Sequence, residues 1–273
     1  MAVAKSLNAV VSYKDEFSPG LVIMKVTPME GAFPPYHAGQ FAVMGLPSSA
    51  PRRADALPDP SPDADPEKLI MRSYSIASSP LVKDHLEFYV IMVPEGHLTP
   101  RLFELKVGDK LWVGPKITGM FCYEETRPST DVVLLCTGTG LAPYISILRT
   151  HAPGNPDRNF VVVHGVRHSW ELGYREELEQ MQRELPNVKY IPLVSRPQLE
   201  KEPWNGHKGH IQNLWETGIV AEALGREPAH TDTHVFLCGH PDMIADMREV
   251  LTSRGWRNHN RKDAGEIHVE SYW

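Results

Sequence analysis

A change of rhythm near residue 130 constrains this chain most. Ahead of it, short apolar stretches at residues 8–13, 21–26, 41–45, 71–76, 86–92 and 110–113 are separated by Gly, Pro and Asp. That punctuation predicts an antiparallel barrel or sandwich. Beyond it, apolar strands alternate with helical stretches: 132–136 then 144–150, 160–164 then 172–185, 189–194 then 211–215, and 235–238 then 243–253. Such alternation predicts a parallel sheet with crossover helices. The chain therefore reads as two domains, 1–126 and 127–273, divided at the polar stretch 124–130 with its Pro128. Its 273 residues suffice for two cores. No internal repeat is visible.

Residues 48–66, SSAPRRADALPDPSPDADP, are rich in Pro, Ala and Asp and almost free of large apolar side chains. They predict an exposed loop, with Arg52 and Arg53 available to an acidic partner. The net charge of -6 argues against nucleic acid as a ligand. No run approaches the length of a membrane helix, and the N-terminus lacks the apolar core of a secretory signal. A cytoplasmic protein without membrane insertion is expected. The three cysteines, Cys122, Cys136 and Cys238, are too few and too scattered for a disulfide framework, a zinc site or a four-cysteine iron–sulfur cluster. The 13 histidines show no HExxH spacing, so no metal is expected.

Five segments carry chemistry. In Arg72-Ser73-Tyr74-Ser75, alternate side chains share a strand face. Arg72 offers a charged fork suited to phosphate, Tyr74 an aromatic surface and Ser75 a hydroxyl. Downstream, Gly96-His97-Leu98-Thr99-Pro100-Arg101 reads as a turn entering a helix, where an anion is favoured and Thr99 is placed to cap. Thr137-Gly138-Thr139-Gly140-Leu141-Ala142-Pro143 is a glycine-rich turn after an apolar strand. It differs from GxGxxG, yet its glycines admit a pyrophosphate to the backbone. Finally, Phe236-Leu237-Cys238-Gly239 precedes a helix containing Met243, and the chain ends Glu270-Ser271-Tyr272-Trp273.

In this order, the motifs resemble the ferredoxin–NADP reductase family, in its bacterial form, over residues 5–273 with 48–66 as an insertion. The resemblance implies an N-terminal Greek-key antiparallel β-barrel that binds FAD, followed by a C-terminal Rossmann-like α/β domain that binds NADP(H). It assigns Arg72, Ser73, Tyr74, Ser75, Leu98, Thr99 and Thr139 to FAD. Tyr272 is to stack on the isoalloxazine and Trp273 on the adenine, so that residues 270–273 return to the flavin. Gly138, Thr139, Gly140, Cys238, Gly239 and Asp242 are assigned to the nicotinamide nucleotide, with Arg167, Ser195, Arg196, Lys208 and His210 around its 2′-phosphate. An acidic residue at that strand end selects NAD; none follows residue 194 directly, and NADPH is expected with some tolerance of NADH. His210 departs from the Arg usual in the bacterial form. Ser75, Cys238, Glu270 and Tyr272 are the implied catalytic set. The implied partner is an acidic one-electron carrier, ferredoxin or flavodoxin, steered by Arg52, Arg53, Lys106, Lys110 and Lys116 to a monomeric enzyme. Flavin reductase, ferric reductase, oxygenase reductase and a non-catalytic nucleotide sensor are the alternatives.

Overall fold

A computed structural model describes residues 6–59, 63 and 65–271. It divides into two units, Met1–Gly119 and Met120–Trp273. In the first, burial recurs at every second position: Val22, Met24 and Val26; Ala42, Met44 and Leu46; Leu86, Phe88 and Val90. This is the period of strands with one face turned to a core. The strands are β1 (Ala9–Ser18), β2 (Leu21–Pro28), β3 (Phe41–Pro47), β4 (Leu69–Ser75), β5 (Leu86–Ile91) and β6 (Lys110–Thr118). They pair antiparallel in the order β4-β3-β6-β1-β2-β5. An Ile76–Phe88 bridge just beyond β4, with the Ala77 N–H donating to Glu87 at 2.8 Å, joins the two outer strands and closes the barrel. Around the closed barrel β3, β4 and β5 are successive neighbours and β6 returns beside β3, which is a Greek key. A short helix, α1 (Thr99–Glu104), and its preceding residue add Leu98, Leu102 and Phe103 to the core.

β1 runs five residues past the 8–13 stretch read from the sequence. Irregularities of register between Val11 and Tyr13 and between Asp15 and Ser18 break the alternation there. Pairing continues across such bulges although the sequence period does not.

The 48–66 segment corrects an expectation. Arg53 pairs with Glu16 at 2.6 Å and Asp55 at 2.9 Å, and Arg52 donates to the Gly96 carbonyl at 2.8 Å. Both guanidinium groups therefore serve contacts inside the first unit rather than facing a partner. A half-buried guanidinium is favourable only where acceptors surround it.

The second unit contains β7 (Asp131–Thr137), α2 (Ala142–His151), β8 (Phe160–Val166), α3 (Arg175–Glu184), β9 (Val188–Val194), β10 (His207–Lys208), α4 (Ile211–Glu216), α5 (Ile219–Leu224), β11 (Thr233–Cys238), α6 (Pro241–Ser253) and β12 (Ile267–Glu270). All its strands are parallel, in the order β10-β9-β8-β7-β11-β12. β7 and β8 read as nearly unbroken apolar runs because both sheet faces are covered. The two-domain reading of an antiparallel barrel followed by a parallel α/β sheet is borne out. Neither α5 nor β12 stood out in the sequence; each is six residues or fewer. The segment after Gly119 packs into the second unit. Phe121 stacks on Tyr144 at 5.8 Å, Tyr123 on His151 at 4.0 Å, and Arg127 pairs with buried Glu266 at 3.0 Å. Among the described residues, no helix is long and apolar enough to cross a membrane.

One topological feature positions the site. The chain builds outward from β7 through β8 and β9 to β10, then returns to the other flank of β7 as β11. The strand order thus reverses between β7 and β11, and ligands of open α/β sheets bind beyond the carboxyl ends of strands at such a point.

Candidate active site

In the second unit, two turns meet beyond the ends of β7 and β11. The first, Gly138–Leu141, is a tight helical turn leading directly into α2. The second, Gly239–His240, leads into α6. They interlock through their glycines. A Cβ on Gly140 would stand 2.5 Å from the Cys238 carbonyl oxygen. A Cβ on Gly239, whose φ is +131°, would stand 2.8 Å from the Thr137 N and O and closer still to its hydroxyl. The Thr137 hydroxyl accepts the His240 N–H at 2.7 Å, and the His240 ring in turn caps α6 by accepting the Asp242 N–H at 3.2 Å. Asp242 itself is exposed in the first turn of α6. Gly138, at φ +52°, has nothing within 4 Å of a Cβ position, so space lies open over its backbone. This open turn at the start of a ten-residue helix suits a pyrophosphate.

Two side chains that the sequence reading passed over hold this arrangement. Fully buried His164, on β8, donates from Nε2 to the Gly138 carbonyl at 3.0 Å. Burial pushes its pKa down to about 4, against the pull of that carbonyl, so the ring stays neutral. Thr137 is the second, through its bond to His240. The sequence signal for both was weak: a histidine inside an apolar strand and a threonine at a strand end.

Register places the sulfur and carboxylate candidates in one row. Cys238 on β11 stands opposite Cys136 on β7 and Glu270 on β12. Cys238 is fully buried and Glu270 half-buried. Burial, with Cys238 adding to it, drives the Cys136 thiol well above its usual pKa. Cys122 is pushed up to about 12 by burial and the carboxylates of Glu124, Glu125 and Glu270. These two thiols stay neutral and act as small apolar groups.

The basic candidates gather at the adjoining strand ends. The Arg196 N–H donates to the Arg167 carbonyl at 3.0 Å, and the Ser195 N–H to the Val166 carbonyl at 2.9 Å. Gly209, following Lys208, donates to the Val194 carbonyl at 3.0 Å. Arg167, Ser195, Arg196 and Lys208 thus come from the carboxyl ends of three neighbouring strands, with His210 directly before α4. Arg196, Lys208 and His210 are exposed, while Arg167 pairs with Glu171 at 2.7 Å.

In the first unit, β4 ends the hydrogen-bonded strand order. Arg72 and Ser73 are exposed on it, Tyr74 is half-buried against the barrel core and Ser75 is buried. Burial raises the Tyr74 hydroxyl pKa and outweighs the opposing pull of Arg72, so the ring is a neutral surface. The Arg72 guanidinium donates to the Met71 carbonyl at 2.8 Å and is exposed. Thr99 does not cap its helix. Leu98 holds the cap position without a side-chain bond, and the Thr99 hydroxyl instead accepts the Val93 N–H at 3.0 Å and donates to the Val93 carbonyl at 3.2 Å. It thereby closes the loop ahead of α1. The readings of Tyr272 and Trp273 fall outside the described residues.

Comparison with known proteins adds the following. Residues 63–121 match an oxidoreductase FAD-binding domain and residues 134–249 an oxidoreductase NAD-binding domain. The chain is 34% identical over 227 residues to a ferredoxin–NADP reductase of Pseudomonas aeruginosa, covering 81% of this chain and 80% of that one. It is 32% identical over 241 residues to a flavodoxin/ferredoxin–NADP reductase of Escherichia coli, covering 88% of each. A ferredoxin NADP+ reductase from Neisseria gonorrhoeae, crystallised with FAD and NADP, superposes with a TM-score of 0.81 at 23% identity, over 99% of this chain and 100% of that one. At that identity the last likeness concerns the fold alone.

Proposed function

The chain belongs to the ferredoxin–NADP reductase family, and from that premise we propose that it moves hydride between NADP(H) and FAD and single electrons between FAD and ferredoxin or flavodoxin. The observation that carries this reading is the glycine-built pair of turns at the β7/β11 reversal, flanked by the basic row of Arg167, Arg196 and Lys208. Bound FAD supplies the exchange of two electrons with the nicotinamide and of one with the carrier protein.

The residues then divide the work. Arg72 binds a flavin phosphate, Ser73 and the Leu98–Thr99 turn add donors, Tyr74 packs along the ring system, and Ser75 presents its hydroxyl to the ring edge. Gly138, Thr139 and Gly140 bring backbone to the nucleotide pyrophosphate, and His164 keeps the Gly138 carbonyl turned away from that anion. Ser195, Arg196, Arg167, Lys208 and His210 read the 2′-phosphate. Glu171 holds Arg167 in reserve until a doubly charged phosphate competes for it. Cys238 and Gly239 shape the nicotinamide side, and Glu270 stands ready to hold a proton there. Lys106, Lys110 and Lys116, exposed on the first unit, remain for an acidic carrier once Arg52 and Arg53 are committed elsewhere.

The purified protein is expected to show flavin bands near ~450 nm that bleach quickly under anaerobic NADPH and more slowly under NADH. A colourless protein that cannot be reconstituted with FAD would exclude the function. Replacing Arg196 by alanine is expected to raise KM for NADPH by about tenfold to a hundredfold, the worth of a charge-assisted bond to phosphate. KM for NADH should stay unchanged. Equal losses with both nucleotides would mean that Arg196 does not read the 2′-phosphate.

A further inference from the structure

Residues 48–59 lie along the turn that precedes α1 and are tied to it at several points. The Arg52 guanidinium donates to the Gly96 carbonyl at 2.8 Å and back to Leu57 at 2.6 Å. The Leu57 N–H donates to Pro94 at 3.1 Å and the Arg53 N–H to Pro100 at 3.0 Å. Arg101, only 4% exposed, donates to the His97 carbonyl at 2.5 Å and to the Ser48 carbonyl at 2.6 Å. Asp59 joins the two segments. Its carboxylate takes Arg101 at 2.9 Å and the His97 ring at 2.9 Å, with Arg52 at 3.8 Å. One carboxylate is therefore shared by three basic side chains: His97 from the turn, Arg101 from α1 and Arg52 from the segment itself. Asp59 is the carboxylate paired with the nearly buried Arg101 guanidinium, whose Nε has no hydrogen-bond partner among the described residues.

Apart from these ties, residues 93–97 of the turn carry its own short bonds, from Thr99 to Val93 and from the Gly96 N–H to Val93 at 2.9 Å, while Leu98 is anchored in the barrel core. A turn ordered before its ligand arrives spares that ligand the entropy of ordering it. We propose that residues 48–59 are a strap that holds the 94–101 turn in its ligand-binding form, with Asp59 as the clasp, so that bound FAD leaves slowly. The inference rests on the reading of Leu98 and Thr99 as flavin contacts. Asp59, Arg52 and Arg101 are positioning residues in it. They act through the backbone of the turn.

The test compares the wild-type holoprotein with Asp59→Asn, Asp59→Ala and a core truncation in the same barrel, Val26→Ala. FAD release is followed by flavin fluorescence after dilution, and amide exchange over residues 93–101 is measured in the apoprotein. Both Asp59 variants are expected to release FAD about tenfold faster or more, the usual consequence in off-rate of unpairing a shielded charge. Exchange over 94–101 should quicken with it. Val26→Ala should lower stability and leave both readouts unchanged. Wild-type release and exchange in the Asp59 variants would overturn the strap, as would equally fast release from Val26→Ala. A wild-type protein that binds no FAD would instead remove the functional reading, and the strap with it.

Discussion

Gly239→Ala is expected to destabilise the second unit by about 3–5 kcal/mol, combining a strained backbone with a steric clash. Its φ of +131° is a conformation that L side chains avoid, and the position a Cβ would take is already filled by the Thr137 backbone and hydroxyl. The same insertion would break the Thr137–His240 bond and part the two turns at the β7/β11 reversal. Nucleotide binding should therefore weaken together with stability. Gly225→Ala makes the comparison quantitative. Gly225 also has a positive φ, +72°, yet nothing lies within 4 Å of its Cβ position. It should lose only the backbone strain, about 1–2 kcal/mol. Thermal melts of the two variants measure the difference; at roughly 2–4 °C per kcal/mol for a unit of this size, Gly239→Ala should melt close to 10 °C below wild type. A Gly239→Ala melt within 2–3 °C of Gly225→Ala would mean that the close approach of the two turns does not contribute.

Acidification is expected to destabilise the protein steeply below pH 6.5. Three histidines of the second unit are buried in neutral form. Burial depresses His164 to about 4. It depresses His234 to about 4, with Arg127 and Arg158 adding to the effect, and His268 to about 2, with His234 and His259 adding. The His234 ring accepts the Arg127 N–H at 3.2 Å and shares a 2.9 Å hydrogen bond with the His268 ring, which stacks on Phe236. The ring nitrogen of His234 toward His268 must therefore carry the proton. In the unfolded chain each histidine titrates near 6.5. Below that pH the unfolded state binds more protons than the folded one, so stability falls as pH falls. The loss from His164 and His234 levels off near pH 4, where the folded state also takes up protons. His164 alone should cost about 2 kcal/mol at pH 5, and the His234–His268 pair, two histidines that both stay neutral in the fold at that pH, about twice as much. Glu266 adds a later loss. Despite the opposing effect of burial, its bonds from Arg257 and Arg127 hold it below the usual carboxylate range, and that stability disappears only at more acid pH. Urea midpoints between pH 7.5 and 5 test this. A flat profile would show that the histidines gain protons without unfolding. In His164→Gln, which keeps an amide donor for Gly138 and cannot titrate, the acid loss should shrink by about 2 kcal/mol.

Much of this protein was legible in its sequence because the relevant signals are local. Alternation in residues such as Val22, Met24 and Val26 is a property of one strand, and the unbroken apolar run of β7 is another. From those came the antiparallel barrel, the parallel sheet and their order. The glycine turn at 138–140 and the Arg72–Ser75 strand are likewise contiguous, so their chemistry could be read before any fold was known. Only the tertiary structure decided what meets across strands. Parallel neighbours are joined by long crossovers, so His164 reaches Gly138, and Cys238 aligns with Cys136 and Glu270, by register alone. For the same reason Arg167 and Arg196, separated in sequence, become hydrogen-bonded neighbours. Residues 48–59 show the converse. Their composition predicts a solvated loop, because polar, proline-rich sequence cannot form a core of its own. What composition does not reveal is whether charges find partners elsewhere, and here Asp59, His97 and Arg101 meet across some 40 residues of chain. Local pattern determined the elements and the kinds of chemistry they carry. The long-range pairing of strands and charges decided which side chains act together.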